Sequence, residues 1–242
     1  MRFSRQPVHA QQYNKYASVQ TVARHWLWSE WSSIGQGVVL DLGAGPVACP
    51  ASAHANSTVL AVDQSLAMLS QSKGYAGCVT AEARALPFAR GAVQGIASSM
   101  AMQWVGTEGL AEWSRVLDHS GQMAFVVPIA GTLAGFRDCL ESAGITPRIL
   151  AFHDERTWVS AARGVGFRLT SVEIRHCREP YVDRRQLVRA LTRIGASGDM
   201  HWPSRASRRA TLVALDHWCA SGLACLDYVL LRVQGEKPFV TS

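Results

Sequence analysis

Apolar runs that stop on an acid or a glycine punctuate the first half of the chain. Gly37-Val38-Val39-Leu40 ends on Asp41, and Val59-Leu60-Ala61-Val62 ends on Asp63. Short continuous runs of this kind suit strands buried on both faces, so strands are expected near 37–42, 58–63, 75–80, 93–99 and 121–128. Between them the apolar spacing lengthens to a helical period over Gln64–Ser72, Glu108–Leu117, Thr132–Ala143 and Asp154–Gly164. A Trp-rich amphipathic helix over Thr21–Ser33 precedes the series, and Phe167–His176 and Asp227–Val233 read as a last, antiparallel-type pair. Strands alternating with helices predict an open α/β sheet.

The turn Asp41-Leu42-Gly43-Ala44-Gly45 is where chemistry enters. Glycines tolerate positive φ and let a ligand lie against bare backbone, while an acid at the tip of the neighbouring strand, here Asp63, can accept hydrogen bonds from both hydroxyls of a ribose. Glycine pairs also occur in turns for structural reasons alone. The strand before this one, helical sequence after it and the acid closing the next strand make it a cofactor motif. Gly43, Gly45 and Ala48 fit the dinucleotide pattern too, but Asp41 would repel a pyrophosphate and attract a ligand carrying an ammonium and a sulfonium. S-adenosylmethionine is such a ligand.

The segment Val39-Leu40-Asp41-Leu42-Gly43-Ala44-Gly45-Pro46 is followed in order by Asp63-Gln64-Ser65-Leu66-Ala67-Met68-Leu69, Glu82-Ala83-Arg84-Ala85-Leu86-Pro87-Phe88 and Ser98-Ser99-Met100-Ala101-Met102-Gln103-Trp104. In these motifs the chain resembles the class I S-adenosylmethionine-dependent methyltransferases. The resemblance implies a Rossmann-like seven-stranded sheet with helices on both faces and a helical lid insertion before the last strand. A length of 242 residues with 48% apolar content suffices for one such domain. It is expected over 1–234, with an N-terminal arm at about 1–33, a lid at about 179–226 and a flexible tail over 235–242.

No apolar stretch reaches membrane-spanning length, and Met1-Arg2-Phe3-Ser4-Arg5 lacks the apolar core of a signal peptide, so a cytoplasmic protein without a membrane partner is expected. The six cysteines form no Cys-x-x-Cys pair, which predicts neither a metal site nor a disulfide framework, and Cys49 beside the turn reads as a packing thiol.

In the lid, Leu187, Val188, Leu191 and Ile194 define an apolar face, while Arg185, Arg189 and Arg193 recur every four residues and Arg205, Arg208 and Arg209 extend the ridge. Most charge runs are solvated faces. This one has few acids to pair with, and the chain's net charge of +6 would steer an acidic partner toward it. Nucleic acid is not the expected partner. Enzymes that methylate exocyclic base amines resemble one another in an Asp/Asn-Pro-Pro-aromatic tetrad after the fourth strand, where this chain has Ser98-Ser99-Met100-Ala101.

Gln103-Trp104, the lid segment Leu191-Thr192-Arg193-Ile194-Gly195-Ala196, and Tyr13, Ala17 and Gln20 of the arm are similar to the malonyl-[acyl-carrier protein] O-methyltransferases of biotin synthesis. That resemblance implies that Asp41, Gly43 and Gly45 hold the methionyl part of the cofactor, Asp63 the ribose and Glu82 the adenine amine, with main chain near Ser98 facing the amino group. Gln103 and Trp104 would line the mouth where the methyl points, and Tyr13 would close it. Arg185, Arg189, Arg205 and Arg209 would meet an acidic acyl carrier protein. The chain departs from the family at Val47, Glu82, Gln94 and Thr192.

A malonyl carboxylate is ionised at neutral pH and is already a nucleophile, so it needs no general base; it needs donors that orient it, for which Arg193 and Tyr13 are the candidates. Other readings are a methyltransferase acting on a quinone or polyketide, one acting on RNA, or a silent binding protein.

Overall fold

The computed structural model describes residues 18–29, 37–50, 57–147, 149–193 and 205–239. Their elements in chain order are α1 (Ser18–Ser29), β1 (Gly37–Leu42), β2 (Ser57–Asp63), α2 (Leu66–Leu69), β3 (Gly77–Thr80), β4 (Val93–Ser99), α3 (Met102–Val105), α4 (Gly109–Val116), β5 (Leu117–Pro128), α5 (Ala134–Ser142), α6 (Glu155–Gly164), β6 (Arg168–Pro180), α7 (Arg184–Arg193), α8 (Arg205–Ala220) and β7 (Cys225–Glu236). The strands form one seven-stranded sheet in the order β3-β2-β1-β4-β5-β7-β6. Strand β7 runs antiparallel to both its neighbours, and the other pairs are parallel.

The apolar runs supply both faces at once because successive side chains of a strand point to opposite sides. Val39, Val59, Ala97, Ala124 and Val126 pack under α1, α5, α7 and α8 through Ala23, Trp26, Phe136, Leu187, Leu191 and Leu215. Their immediate neighbours Leu40, Ile96, Phe125 and Val127 pack on the other side with Trp113 of α4 and Trp158 of α6. The two helices between β6 and β7, α7 and α8, therefore share a face with α1. On α7, Leu187 and Leu191 are buried while Arg185 and Arg189 are exposed, as the spacing predicts. Ile194 lies outside the described residues.

Helix α1 is held by more than its apolar face. Arg232 of β7, 1% exposed, donates to the Trp26 carbonyl at 3.2 Å, lies 5.0 Å from the centre of that indole, and pairs with Glu173 of β6.

Several boundaries differ from the expected ones. Helix Gln64–Ser72 shrinks to the single turn α2, capped by the Ser65 hydroxyl, which accepts from the Met68 amide. Strand β7 continues through Gln234, Gly235 and Glu236, two residues into the stretch expected to be a loose tail, because these pair with Gln122, Met123 and Ala124 of β5. Lys237 then donates its amide to Gly121 and its ammonium to the Leu117 carbonyl. The residues after the glycine turn are not helical as far as residue 50: Ala48 bridges Lys73 and the Cys49 amide donates to the Lys73 carbonyl, which keeps this stretch extended into Pro50. Residues 51–56, 30–36 and 1–17 lie outside the described set.

Candidate active site

Strand order reverses between β1 and β4, and ligands of open α/β sheets bind outside the carboxyl ends of the strands at such a point. A cleft of about 1140 Å³, open mouth included, lies there. The ends of β1 (Leu42, Gly43, Gly45), β2 (Val62, Asp63), β3 (Ala81, Glu82) and β4 (Ser98, Ser99, Met100) form its floor. Gln103 and Trp104 of α3, Gln20 of α1, Pro128, Phe152 and Tyr228 of β7 complete the mouth.

The glycine turn has the shape its sequence requires. Gly43 and Gly45 have φ of +68° and +62°, and the Gly43 amide donates to the Val62 carbonyl at 2.8 Å, which ties the turn to β2. A Cβ on Gly43 would stand 2.2 Å from the Ala101 Cβ, so this backbone approaches α3 as closely as glycine allows. A Cβ on Gly45 would meet nothing nearer than 4.0 Å, so it would occupy space that a ligand can use. Met100 holds a φ of +57°, uncommon for a residue with a side chain, and the Gln103 amide donates to its carbonyl at 2.6 Å.

Asp63 stands at the rim. Its two oxygens accept from the Gly45 amide at 3.1 Å and the Ser65 amide at 2.9 Å, which fixes the carboxylate and leaves lone pairs toward the cleft. Burial raises its pKa, the Ser65 and Gly45 amides pull it partly back, and Asp41 adds to the rise. Glu82 is half exposed and 3.6 Å from Arg84. Ser98 is buried and donates to the Leu42 carbonyl at 2.9 Å, joining β4 to β1 and leaving its main chain at the cleft.

Of the residues singled out in the sequence, Gly43, Gly45, Asp63, Glu82, Ser98, Gln103 and Trp104 come together in this cleft. Asp41 does not line it. Its buried carboxylate faces α1 instead, where Oδ2 receives Arg24 Nη2 at 2.6 Å and the Tyr75 hydroxyl at 2.7 Å. Arg185 and Arg209 are exposed on α7 and α8, with Arg189 between them on the ridge, and all three lie outside the cleft's lining. Tyr13 lies outside the described residues, and of Arg193 and Arg205 only the helical backbone is described. Burial first, and Asp41 next, push the Cys49 thiol up to about 12, which disfavours its thiolate. Phe152 and Pro128 have no sequence motif that announces them, and Tyr228 reaches the mouth on β7, the strand beside β5.

This donor set fits S-adenosylmethionine. Bare backbone at Gly45, a fixed carboxylate for the ribose at Asp63 and apolar walls from Leu42, Val62, Met68 and Met102 all suit a nucleoside with an apolar, cationic tail. Among the described residues no group of three His, Cys, Asp or Glu could hold a metal ion, and no helix is long and apolar enough to cross a membrane.

Residues 40–125 match the model of the methyltransferase domain family. The chain is similar to the malonyl-[acyl-carrier protein] O-methyltransferase of Herminiimonas arsenicoxydans, 26% identical over 94% of this chain and 92% of that one. A methyltransferase structure from Bacillus halodurans superposes with a TM-score of 0.59 at 14% identity, covering 93% of this chain and all of that one. Geranyl diphosphate C-methyltransferase of Streptomyces coelicolor, solved with S-adenosyl-L-homocysteine, superposes with 0.53 at 12% identity over 94% of this chain and 83% of its own. The sheet is the class I methyltransferase fold, residues 40–125 match a methyltransferase domain, and S-adenosylmethionine is the cofactor. A curated relative that it resembles along most of its length carries the malonyl-[acyl-carrier protein] O-methyltransferase name.

Proposed function

We propose that this enzyme methylates the free carboxylate of malonyl-[acyl-carrier protein], giving the methyl ester that opens pimeloyl-chain assembly in biotin synthesis. The observation that carries the reading is the similarity over 94% of the chain to an enzyme of that name. The cleft supports it chemically. Its described lining contains no His, Lys, Arg or Cys, and its two carboxylates stand at the ends of β2 and β3 on the cofactor side. An acceptor that is already a nucleophile needs no base there.

Bound S-adenosylmethionine supplies a methyl carbon made electrophilic by its sulfonium. The chain's part is to bind, orient and dry. Trp104, Phe152 and Pro128 line the mouth with apolar surface, which would strip water from a carboxylate brought into it and raise its reactivity. Gln103 keeps its Oε1 buried and without a partner among the described residues, while its amide nitrogen braces Met100. Rate comes from holding oxygen and carbon in line at about 3–3.5 Å. Arg193 at the end of α7 and Tyr13 of the arm are the proposed donors to the carboxylate.

Arg185, Arg189 and Arg209, with Arg205, form the proposed contact for the acidic carrier; Arg184 beside them pairs with Asp216 of α8 at 2.6 Å. Arg185→Glu should raise the apparent KM for malonyl-carrier protein about 3- to 10-fold at low salt and much less at high salt, with kcat retained. An unchanged KM at low salt removes Arg185 from the contact.

The deciding experiment is transfer of labelled methyl from S-adenosylmethionine to malonyl-carrier protein, beside malonyl-coenzyme A, free malonate and acetyl-carrier protein. Transfer to the malonyl-carrier species alone supports the reading. Intact cofactor binding with no transfer to any of them sends the acceptor search to quinones and polyketides, for which the apolar mouth has room.

A further inference from the structure

We infer that Arg24 and Tyr75 are positioning residues of the cofactor site, acting through Asp41, and that they make docking of α1 and binding of the cofactor one coupled event. The inference rests on the cofactor and not on the identity of the methyl acceptor.

Arg24 projects from α1 to both ends of the glycine turn. Its Nη2 lies 2.6 Å from Asp41 Oδ2, before the turn, and 3.4 Å from the Ala48 carbonyl, after it. The same nitrogen donates to the Tyr75 hydroxyl, which itself donates to Asp41 Oδ2 at 2.7 Å. Asp41 is 1% and Arg24 13% exposed at the side chain, so each charge would be costly without the other. Tyr75 enters from the loop before β3 and completes the triangle.

The position of this cluster gives it its function. Ala48 and Cys49 after the turn bond to Lys73, and the turn is braced besides by a side chain from outside the sheet. Gln20, one helical turn before Arg24 on the same face of α1, lines the cleft itself. One helix therefore delivers both a wall of the site and the guanidinium that orients its acid. With Oδ2 committed twice, Asp41 keeps Oδ1 at the base of the turn, buried and without a partner among the described residues. A turn held this way presents its positive-φ glycines ready for the ligand, and a ligand that favours that shape favours the docked helix.

The test measures binding of S-adenosylhomocysteine by calorimetry, and amide exchange across residues 18–29 with and without it, for the full chain and for Arg24→Gln, Arg24→Lys and Tyr75→Phe. The expected Kd rises are tenfold or more, order of magnitude, for Arg24→Gln, with partial recovery in Arg24→Lys, and roughly threefold for Tyr75→Phe. Ligand should slow exchange in α1 of the parent and not of Arg24→Gln. A folded Arg24→Gln with the parent's Kd, or a parent α1 indifferent to ligand, overturns the inference. If Arg24→Gln does not fold, unchanged Kd values in both Tyr75→Phe and Arg24→Lys overturn it equally. Binding and exchange need no acceptor, so a wrong acceptor assignment leaves this result readable.

Discussion

Gly43→Ala is expected to lower the melting temperature by about 4–20 °C and to abolish detectable cofactor binding. The left-handed conformation at φ +68° costs a residue with a Cβ about 1–2 kcal/mol, and the new methyl, 2.2 Å from the Ala101 Cβ, forces α3 or the turn to move at about 1–3 kcal/mol more. Against a net stability of roughly 5–15 kcal/mol that is a large share, and each kcal/mol is worth about 2–4 °C in a chain of this size. The displaced element is the one that carries Gln103 and Trp104, so binding and mouth geometry fail together. A scanning calorimetry trace within about 2 °C of the parent would show that the turn relaxes without strain.

Asp63→Asn weakens S-adenosylhomocysteine binding by about 10- to 150-fold, the worth of hydrogen bonds to an ionised acceptor at about 1.5–3 kcal/mol. Its pH signature is as telling as its size. Burial raises the Asp63 pKa in the free protein, so between the ordinary carboxylate range and that raised value the native state binds more protons than the unfolded chain. Stability of the free enzyme from this group therefore falls as pH rises through that window. Cofactor binding goes the other way, because ribose hydroxyls donate to the ionised form, and affinity should climb with pH and then level off above the raised pKa. Calorimetric Kd values across the acid range should show that climb in the parent and none in Asp63→Asn; a flat parent profile would take the ribose away from Asp63.

The sheet was readable in the sequence because its central strands are buried on both faces and their apolar runs end on Asp41, Asp63 and Ser98–Ser99. The ends of β6 and β7 were not. Strand β6 lies at the sheet edge with Arg168, Arg175 and Arg178 exposed, so its pattern resembles a polar connection, and only pairing extends it to Pro180. Motif residues that touch the ligand cradle were visible for the same local reason as the strands. The partner of Asp41 was not, since Arg24 and Tyr75 stand 17 and 34 residues away and nothing in their neighbourhoods marks them. A carboxylate expected to face the cofactor thus turned out to have one oxygen committed to the N-terminal helix.

The bond from Arg232 to the Trp26 carbonyl joins positions 206 apart in sequence. On a ribosome, α1 is made before β4, β5 and β7, the strands it packs on, so its seat is complete only once β7 has been made. A contact of that sequence separation carries a large loop-closure cost, so this latch between the two ends of the described chain is expected to close after the parallel core has paired.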